Sequence, residues 1–224
     1  MVDDSRDFAG STSIGPSANV ASKCQVLLTV LAAGASRRLG QPKQLVMLGG
    51  EPLVRRQCRV AIESQTGSVS VILGCHANEC AAAVVDLSIA QIINQLWTEG
   101  LASSIRHAAQ AAIDKNVNGL LLLHVDQYRL TAADLQTLYT AWKESPGSVC
   151  VAMYGDAIGP PVIFPRHCFE KLLELHGDGG ARRVIASIPA HAVLRVSIPN
   201  ALHDLDEPSQ LAALLRAGER PAER

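Results

Sequence analysis

The sequence predicts a single three-layer α/β domain with a mostly parallel sheet, on three observations. Short apolar runs alternate with longer amphipathic segments, the pattern of β–α units that pair strands in parallel. The apolar runs, Leu120 to Leu123 above all, lack period-2 alternation, as strands covered on both faces do. The length of 224 residues, 48% of them hydrophobic, allows one sizeable core.

The elements follow in chain order. Residues 1–22, rich in Ser, Gly, Asp and Ala, read as a mobile tail, with a domain over 23–217 and a C-terminal tail over 218–224. Apolar runs place strands at 25–31, 69–73, 91–93, 119–124, 148–153, 161–164 and 191–196. The amphipathic stretches between them place helices near 52–64, 77–86, 101–114, 132–143, 166–174, 180–187 and 207–216. Thr131 reads as an N-cap, with Asp134 three residues on as a short form of the capping box. Ligands of such sheets sit beyond the carboxyl ends of the strands.

Composition excludes several classes. Lys plus Arg (20) against Asp plus Glu (21) gives a net charge of -1, which offers nothing to nucleic acid or an anionic membrane. No apolar run approaches the ~20 residues needed to span a bilayer. The N-terminal segment lacks the charged start and apolar core of a signal peptide. The 6 cysteines form no C-x-x-C pair and are expected to be free thiols in a cytoplasmic protein. Cys75, His76 and Cys80 have no fourth partner in sequence and read as core or surface residues.

The most informative stretch is Leu31-Ala32-Ala33-Gly34-Ala35-Ser36-Arg37-Arg38-Leu39-Gly40-Gln41-Pro42-Lys43, directly after the apolar run Val26 to Val30. Small residues let backbone N–H groups approach oxygens closely. Arg37, Arg38 and Lys43 add charge for phosphates. The spacing excludes two better-known loops. Gly34 and Gly40 have no glycine between them, so no G-x-G-x-x-G exists, and Gly40 is followed by Gln41 where a P-loop requires lysine.

This stretch resembles the signature of the MobA-like nucleotidyltransferases, roughly L-A-A-G-x-S-x-R-x-G-x-P-K, in the branch of the molybdenum cofactor cytidylyltransferases. Later segments resemble the family in the same order. They are Asn94 to Ile105 with Trp97, Gly100 and Ser104; Val125-Asp126-Gln127; Gly159 to Arg166; Gly177 to Arg182; and Asp204-Leu205-Asp206-Glu207-Pro208. The resemblance implies a Rossmann-like domain of the nucleotide-diphospho-sugar transferase type. It also implies Mg²⁺-dependent transfer of CMP from CTP to a molybdopterin-type phosphate, with release of pyrophosphate.

Such a transfer needs in-line positioning and charge neutralisation. The resemblance implies Asp126 and Asp206 as metal ligands, with Asp204 as a nearby substitute or helper. It implies Lys43, Arg38 and Asp126 as the catalytic set. Leu31, Ala32, Ala33, Gly34, Ala35, Ser36, Arg37, Arg38 and Lys43 would bind the nucleotide. Ala33 favours CTP, because L-A-A-G resembles cytidylyl members and L-A-G-G guanylyl members. Trp97, Ser103 and Ser104 would line the acceptor pocket or serve packing and helix-start roles. Asp178 and Arg182 would touch the acceptor or fix their loop. A molybdoenzyme is the expected downstream partner. Two other readings stay open: the same chemistry on another phosphorylated acceptor, and a non-catalytic nucleotide- or pterin-binding accessory protein. Tyr128 stands where the family has proline, removing a fixed φ of about −65°. Glu207-Pro208-Ser209-Gln210 departs from T-P-E-D and leaves the start of the last helix open. His124 and His203, beside the aspartates, read as strand-lining or helix-capping residues.

Overall fold

The computed structural model describes residues 25–216; both expected tails and Cys24 lie outside them. A seven-stranded sheet runs through the centre. Its first strand, β1 (Val26–Ala32), is buried along its whole length. β4 (Ser68–Leu73) and β6 (Gly119–His124) flank it in parallel, and β5 (Ala90–Ile93) extends the β4 side. On the far side lie β8 (Ala157–Pro165), β7 (Val149–Tyr154) and β9 (Val193–Ser197). The order is β5-β4-β1-β6-β8-β7-β9, with β8 antiparallel to both neighbours and every other pair parallel. Two strands have minor roles: β2 (Met47–Leu48) and β3 (Glu51–Pro52) form a small hairpin.

The helices are α1 (Leu53–Glu63), α2 (Ala77–Ala83), α3 (Leu101–Asp114), α4 (Ala132–Glu144), α5 (Phe169–Leu173), α6 (Arg182–Ala186) and α7 (Pro208–Arg216). Alternate residues of β6 show why its sequence is continuously apolar. Leu121 and Leu123 pack with Cys58 of α1, Cys80 of α2 and Trp142 of α4. Leu120 and Leu122 pack on the other face with Ile105 of α3, Phe169 of α5 and Ile185 of α6. Both faces are dry, so the pleat carries no polar side. Thr29 and Ser70, polar residues inside this sheet, satisfy each other across β1 and β4 at 2.9 Å. Gly119 opens β6 because a Cβ there would lie 2.8 Å from the Trp142 ring.

The strands expected from apolar runs are all present. β8 begins four residues earlier than 161, at Ala157, because Gly159-Pro160-Pro161 reads locally as a breaker while its pairing with β7 tolerates a shifted register. The β2–β3 hairpin was not expected. Two-residue strands carry no periodicity, although Gly49-Gly50, both at positive φ, mark its turn. The segment expected as a helix at 166–174 splits into a 3₁₀ turn, Arg166–Cys168, and α5.

Thr131 caps α4 as expected. Its hydroxyl accepts from the Asp134 N–H at 3.2 Å, and the Asp134 carboxylate accepts from the Thr131 N–H at 2.9 Å. Thr131→Ala should cost about 1 kcal/mol, a melting temperature lower by about 2–4 °C. An unchanged melting temperature would show that the box adds nothing to α4.

Candidate active site

The carboxyl ends of β1 and β6 open onto a cavity of about 970 Å³. The loop after β1 forms one wall. Its shape depends on Gln44, a buried side chain in the 3₁₀ turn Lys43–Leu45. The Gln44 amide donates to the Ala32 and Gly34 carbonyls at 3.0 and 2.5 Å, and its oxygen accepts from the Ser36 hydroxyl at 3.2 Å. Trans-peptide geometry turns the Ala35 N–H, which shares a plane with the Gly34 carbonyl, the opposite way. Ser36 holds a positive φ of 54° and accepts the Lys43 N–H at 3.0 Å. Gly74 lets the end of β4 close on this loop: a Cβ there would sit 2.7 Å from the Ala33 carbonyl oxygen and 2.6 Å from the Trp97 Cβ.

Lys43 is the centre of the charged cluster. Its Nζ donates to Asp126 Oδ2 at 2.8 Å and to Asp206 Oδ1 at 2.6 Å. Arg38, largely exposed, reaches the other oxygen of Asp206 at 3.2 Å. The carboxylates come together although they lie far apart in sequence. Asp126 follows β6, and its carbonyl accepts the Leu205 N–H at 3.1 Å, which docks the Asp204–Asp206 segment beside it. Gln127, also buried, strengthens this junction. Its amide donates to the carbonyls of Pro160 and Ala201 at 2.7 and 3.1 Å, and its oxygen accepts the His124 N–H.

Burial would raise the Asp206 carboxyl, but the hydrogen bond and charge of Lys43, with Arg38 and His124, hold it below the ordinary 3.8. Burial likewise opposes the Lys43 charge, and Asp126 and Asp206 outweigh it, so Lys43 lies above its ordinary 10.5. Burial raises Asp204, and the charges of Asp126 and Asp206 add to this. A depressed Asp206 contributes stability that is complete above its unfolded value and lost as pH falls through the folded one. A raised Lys43 contributes stability that is complete below its unfolded value and lost as pH rises through the folded one. The urea midpoint difference between the wild type and Asp206→Asn should therefore be level at neutral pH and shrink below 3.8. A difference that grows toward acid would contradict the pairing.

The cavity is also lined by the 3₁₀ turn Trp97–Glu99, the start of α3 and the loop before α6. Gly100, at φ 118°, permits it: a Cβ there would collide with the Asp178 side chain and lie 2.7 Å from the Gly177 carbonyl oxygen. Arg106 clamps the same junction, donating to both Glu99 oxygens at 2.7 and 2.5 Å and to the Leu175 carbonyl at 2.6 Å. The Arg106 hydrogen bonds hold the Glu99 carboxyl down to about 2. Asn94, fully buried, donates to the Ser103 and Ser104 hydroxyls at 2.8 and 3.0 Å and fixes the first turn of α3.

Of the expected site residues, Leu31, Ala33, Gly34, Ala35, Ser36, Arg37, Arg38 and Lys43 line the cavity. So do Trp97, Ser104, Asp126, Asp178, Arg182, Asp204 and Asp206. Two of the expected residues do not line the cavity, and for Ser103 it is the helix-start role that the structure shows. Ala32, the last residue of β1, points to the core on the face opposite Leu31 and Ala33. Ser103 is fully buried, its hydroxyl donating to the Gly100 carbonyl and accepting from Asn94, so it shapes the helix start and does not face the cavity. Tyr128 packs against the core and borders a smaller neighbouring cavity with Arg129 and His203. Helix α7 starts at Pro208 despite its departing sequence, because the Gln210 side chain accepts the Asp206 and Glu207 N–H groups at 2.8 and 2.7 Å. Gln44, Gln127 and Asn94 were missed as positioning residues. For Gln44 and Gln127 the available signal was an uncharged amide beside a charged motif residue, and for Asn94 an amide directly after an apolar strand, where every buried polar atom needs a partner.

Among the described residues, the five cysteines present are free and no helix is long and apolar enough to cross a membrane. Burial pushes the Cys58 thiol up to about 12 and the Cys80 thiol up to about 11.

The sequence model of the MobA-like NTP transferase domain matches residues 28–193. The purine catabolism protein PucB of Bacillus subtilis is 30% identical over 84% of this chain and 94% of its own length. Nicotine blue oxidoreductase of Paenarthrobacter nicotinovorans is 30% identical over 70% of this chain and 73% of its own. A probable molybdenum cofactor guanylyltransferase of Opitutus terrae is 27% identical over 75% and 81%. Among solved structures, Rv0371c of Mycobacterium tuberculosis superposes with a TM-score of 0.74 at 28% identity, covering 86% of this chain and 97% of its own. A manganese complex of the same mycobacterial protein superposes with a TM-score of 0.69 at 25% identity, covering 86% and 99%. With its strand order, its cavity at the strand ends and these matches, the chain is a nucleotidyltransferase of the MobA-like NTP transferase family.

Proposed function

We propose that this protein transfers CMP from CTP to the phosphate of a molybdopterin-type acceptor. The observation that carries the reading is the convergence of Lys43, Arg38, Asp126 and Asp206 in a cavity that Trp97, Ser104, Asp178 and Arg182 also line. An acceptor phosphate oxygen attacks the α-phosphorus; the bond from that phosphorus to the bridging oxygen breaks, and pyrophosphate leaves with the electron pair. Lys43 and Arg38 neutralise the charge that gathers on the leaving pyrophosphate. The loop from Gly34 to Ser36, braced by Gln44, offers backbone donors to the phosphates.

The donor set fits Mg²⁺. Asp126 and Asp206 already face a single cation, the Lys43 ammonium, and hard oxygen ligands suit this metal. With two carboxylates from the protein, the ion would take its other ligands from phosphate and water. When bound there, Mg²⁺ would draw charge from the α-phosphate and orient the triphosphate. The manganese complex of the mycobacterial relative supports a divalent ion in this fold.

CTP is the proposed nucleotide because Leu31-Ala32-Ala33-Gly34 follows the cytidylyl pattern and Ala33 lines the cavity. The guanylyltransferase name of the Opitutus relative makes GTP the competing nucleotide. The purine catabolism and nicotine blue relatives make another acceptor, or a binding role without transfer, the second reading. Delivery of the product to a molybdoenzyme in the cytoplasm completes the proposal.

Incubation with Mg²⁺, a molybdopterin-type acceptor and each of CTP, GTP, ATP and UTP should release pyrophosphate chiefly with CTP. Preference for GTP would overturn the nucleotide assignment alone. Release only with a different phosphorylated acceptor would overturn the acceptor, and no release with any pair would favour the binding role.

A further inference from the structure

We propose that Lys43 has a second function: it acts as a built-in counter-cation between Asp126 and Asp206, which excludes bare divalent metal and admits it only together with the triphosphate. This rests on reading Asp126 and Asp206 as the metal carboxylates.

The geometry carries it. The Lys43 ammonium lies at 2.8 Å from one carboxylate and 2.6 Å from the other, with only 14% of its side chain exposed. That is the volume in which a metal ion would have to touch the same two oxygens. An ammonium and a divalent cation cannot share it, both for overlap and for like-charge repulsion at contact distance. A bare ion must therefore expel Lys43 from a largely buried pair, leaving its charge without a partner. Breaking such a pair from one side is strongly unfavourable.

A metal–triphosphate removes this obstacle because the phosphates supply new acceptors. Lys43 can exchange two carboxylates for phosphate oxygens as the ion takes its place, and Arg38 can do the same from Asp206. The motion required is small. The Lys43 backbone stays tied to the loop through its N–H to Ser36 Oγ at 3.0 Å, and only the flexible stem needs to swing. The loop geometry that receives the phosphates is thus kept while the cations rearrange.

The test measures Mn²⁺ binding without nucleotide, by the electron paramagnetic resonance signal of free Mn²⁺. Lys43→Met keeps the apolar stem and removes the charge; Lys43→Gln repeats the comparison with a polar end. Both should bind Mn²⁺ at least about tenfold more tightly than the wild type. The gain should vanish when Asp126→Asn is added. Mn²⁺ affinity in both variants equal to or weaker than wild type would overturn the counter-cation function. A parallel titration with a non-hydrolysable CTP analogue separates this from the underlying reading. If Asp126→Asn in the otherwise wild-type chain leaves Mn²⁺ affinity unchanged in the presence of that analogue, the metal reading itself fails.

Discussion

Asp126→Asn should lower pyrophosphate release by about 10³-fold while the protein stays folded. The substitution preserves shape and one acceptor oxygen, so Gln127, Leu205 and the end of β6 keep their places. What changes is charge. Lys43 loses one of its two anionic partners. The loss of one charge-assisted hydrogen bond costs about 1–3 kcal/mol, or a melting temperature lower by roughly 2–12 °C. The catalytic loss is larger because stabilisation of developing charge is felt most in the transition state. Activity within tenfold of wild type, measured with the cognate pair, would remove Asp126 from the catalytic set.

Gly100→Ala should destabilise the protein by about 3 kcal/mol and weaken acceptor binding more than nucleotide binding. Gly100 combines two constraints. Its φ of 118° is one that an L side chain rarely adopts, and a Cβ would meet the 177–178 loop at once. Relief requires the α3 start and the Gly177–Asp178 turn to separate. The Ala102 N–H to the Gly177 carbonyl, at 3.1 Å, and the Glu99–Arg106 clamp oppose that separation. The melting temperature should fall by about 6–12 °C. The acceptor KM should rise while the CTP KM moves little, because the Gly34–Lys43 loop is held by its own bonds to Gln44 and Ser36. A proportional rise in both constants would show that the loop and this junction do not act separately.

The extent to which this molecule is readable from its residues follows from how local each signal is. Buried strands such as β1 and β6 carry their evidence within themselves, as does the Thr131–Asp134 box. The phosphate loop is legible for the same reason: its small residues and cations are contiguous. The convergence of Asp126 with Asp206 was legible only through the order of motifs, because a parallel sheet brings strand ends to one edge. Side-chain direction was less accessible. Ala32 and Ala33 differ by one step of the β pleat, and Ser103 and Ser104 by one step around a helix. Those single steps decide which residue faces the cavity and which the interior. Least legible were Gln44, Gln127 and Asn94, whose partners include backbone carbonyls or hydroxyls that only the folded chain brings near. The Gln127 amide illustrates this: it joins β6, β8 and the turn before Asp204.

The central claim is transfer through the α-phosphorus, and isotope labelling tests it most directly. CTP labelled with ³²P at the α position, incubated with Mg²⁺ and the molybdopterin-type acceptor, should pass its label into the acceptor product, while γ-labelled CTP should yield labelled pyrophosphate. Label from the γ position in the acceptor, or α label recovered only in free CMP, CDP or unreacted CTP, would contradict the account.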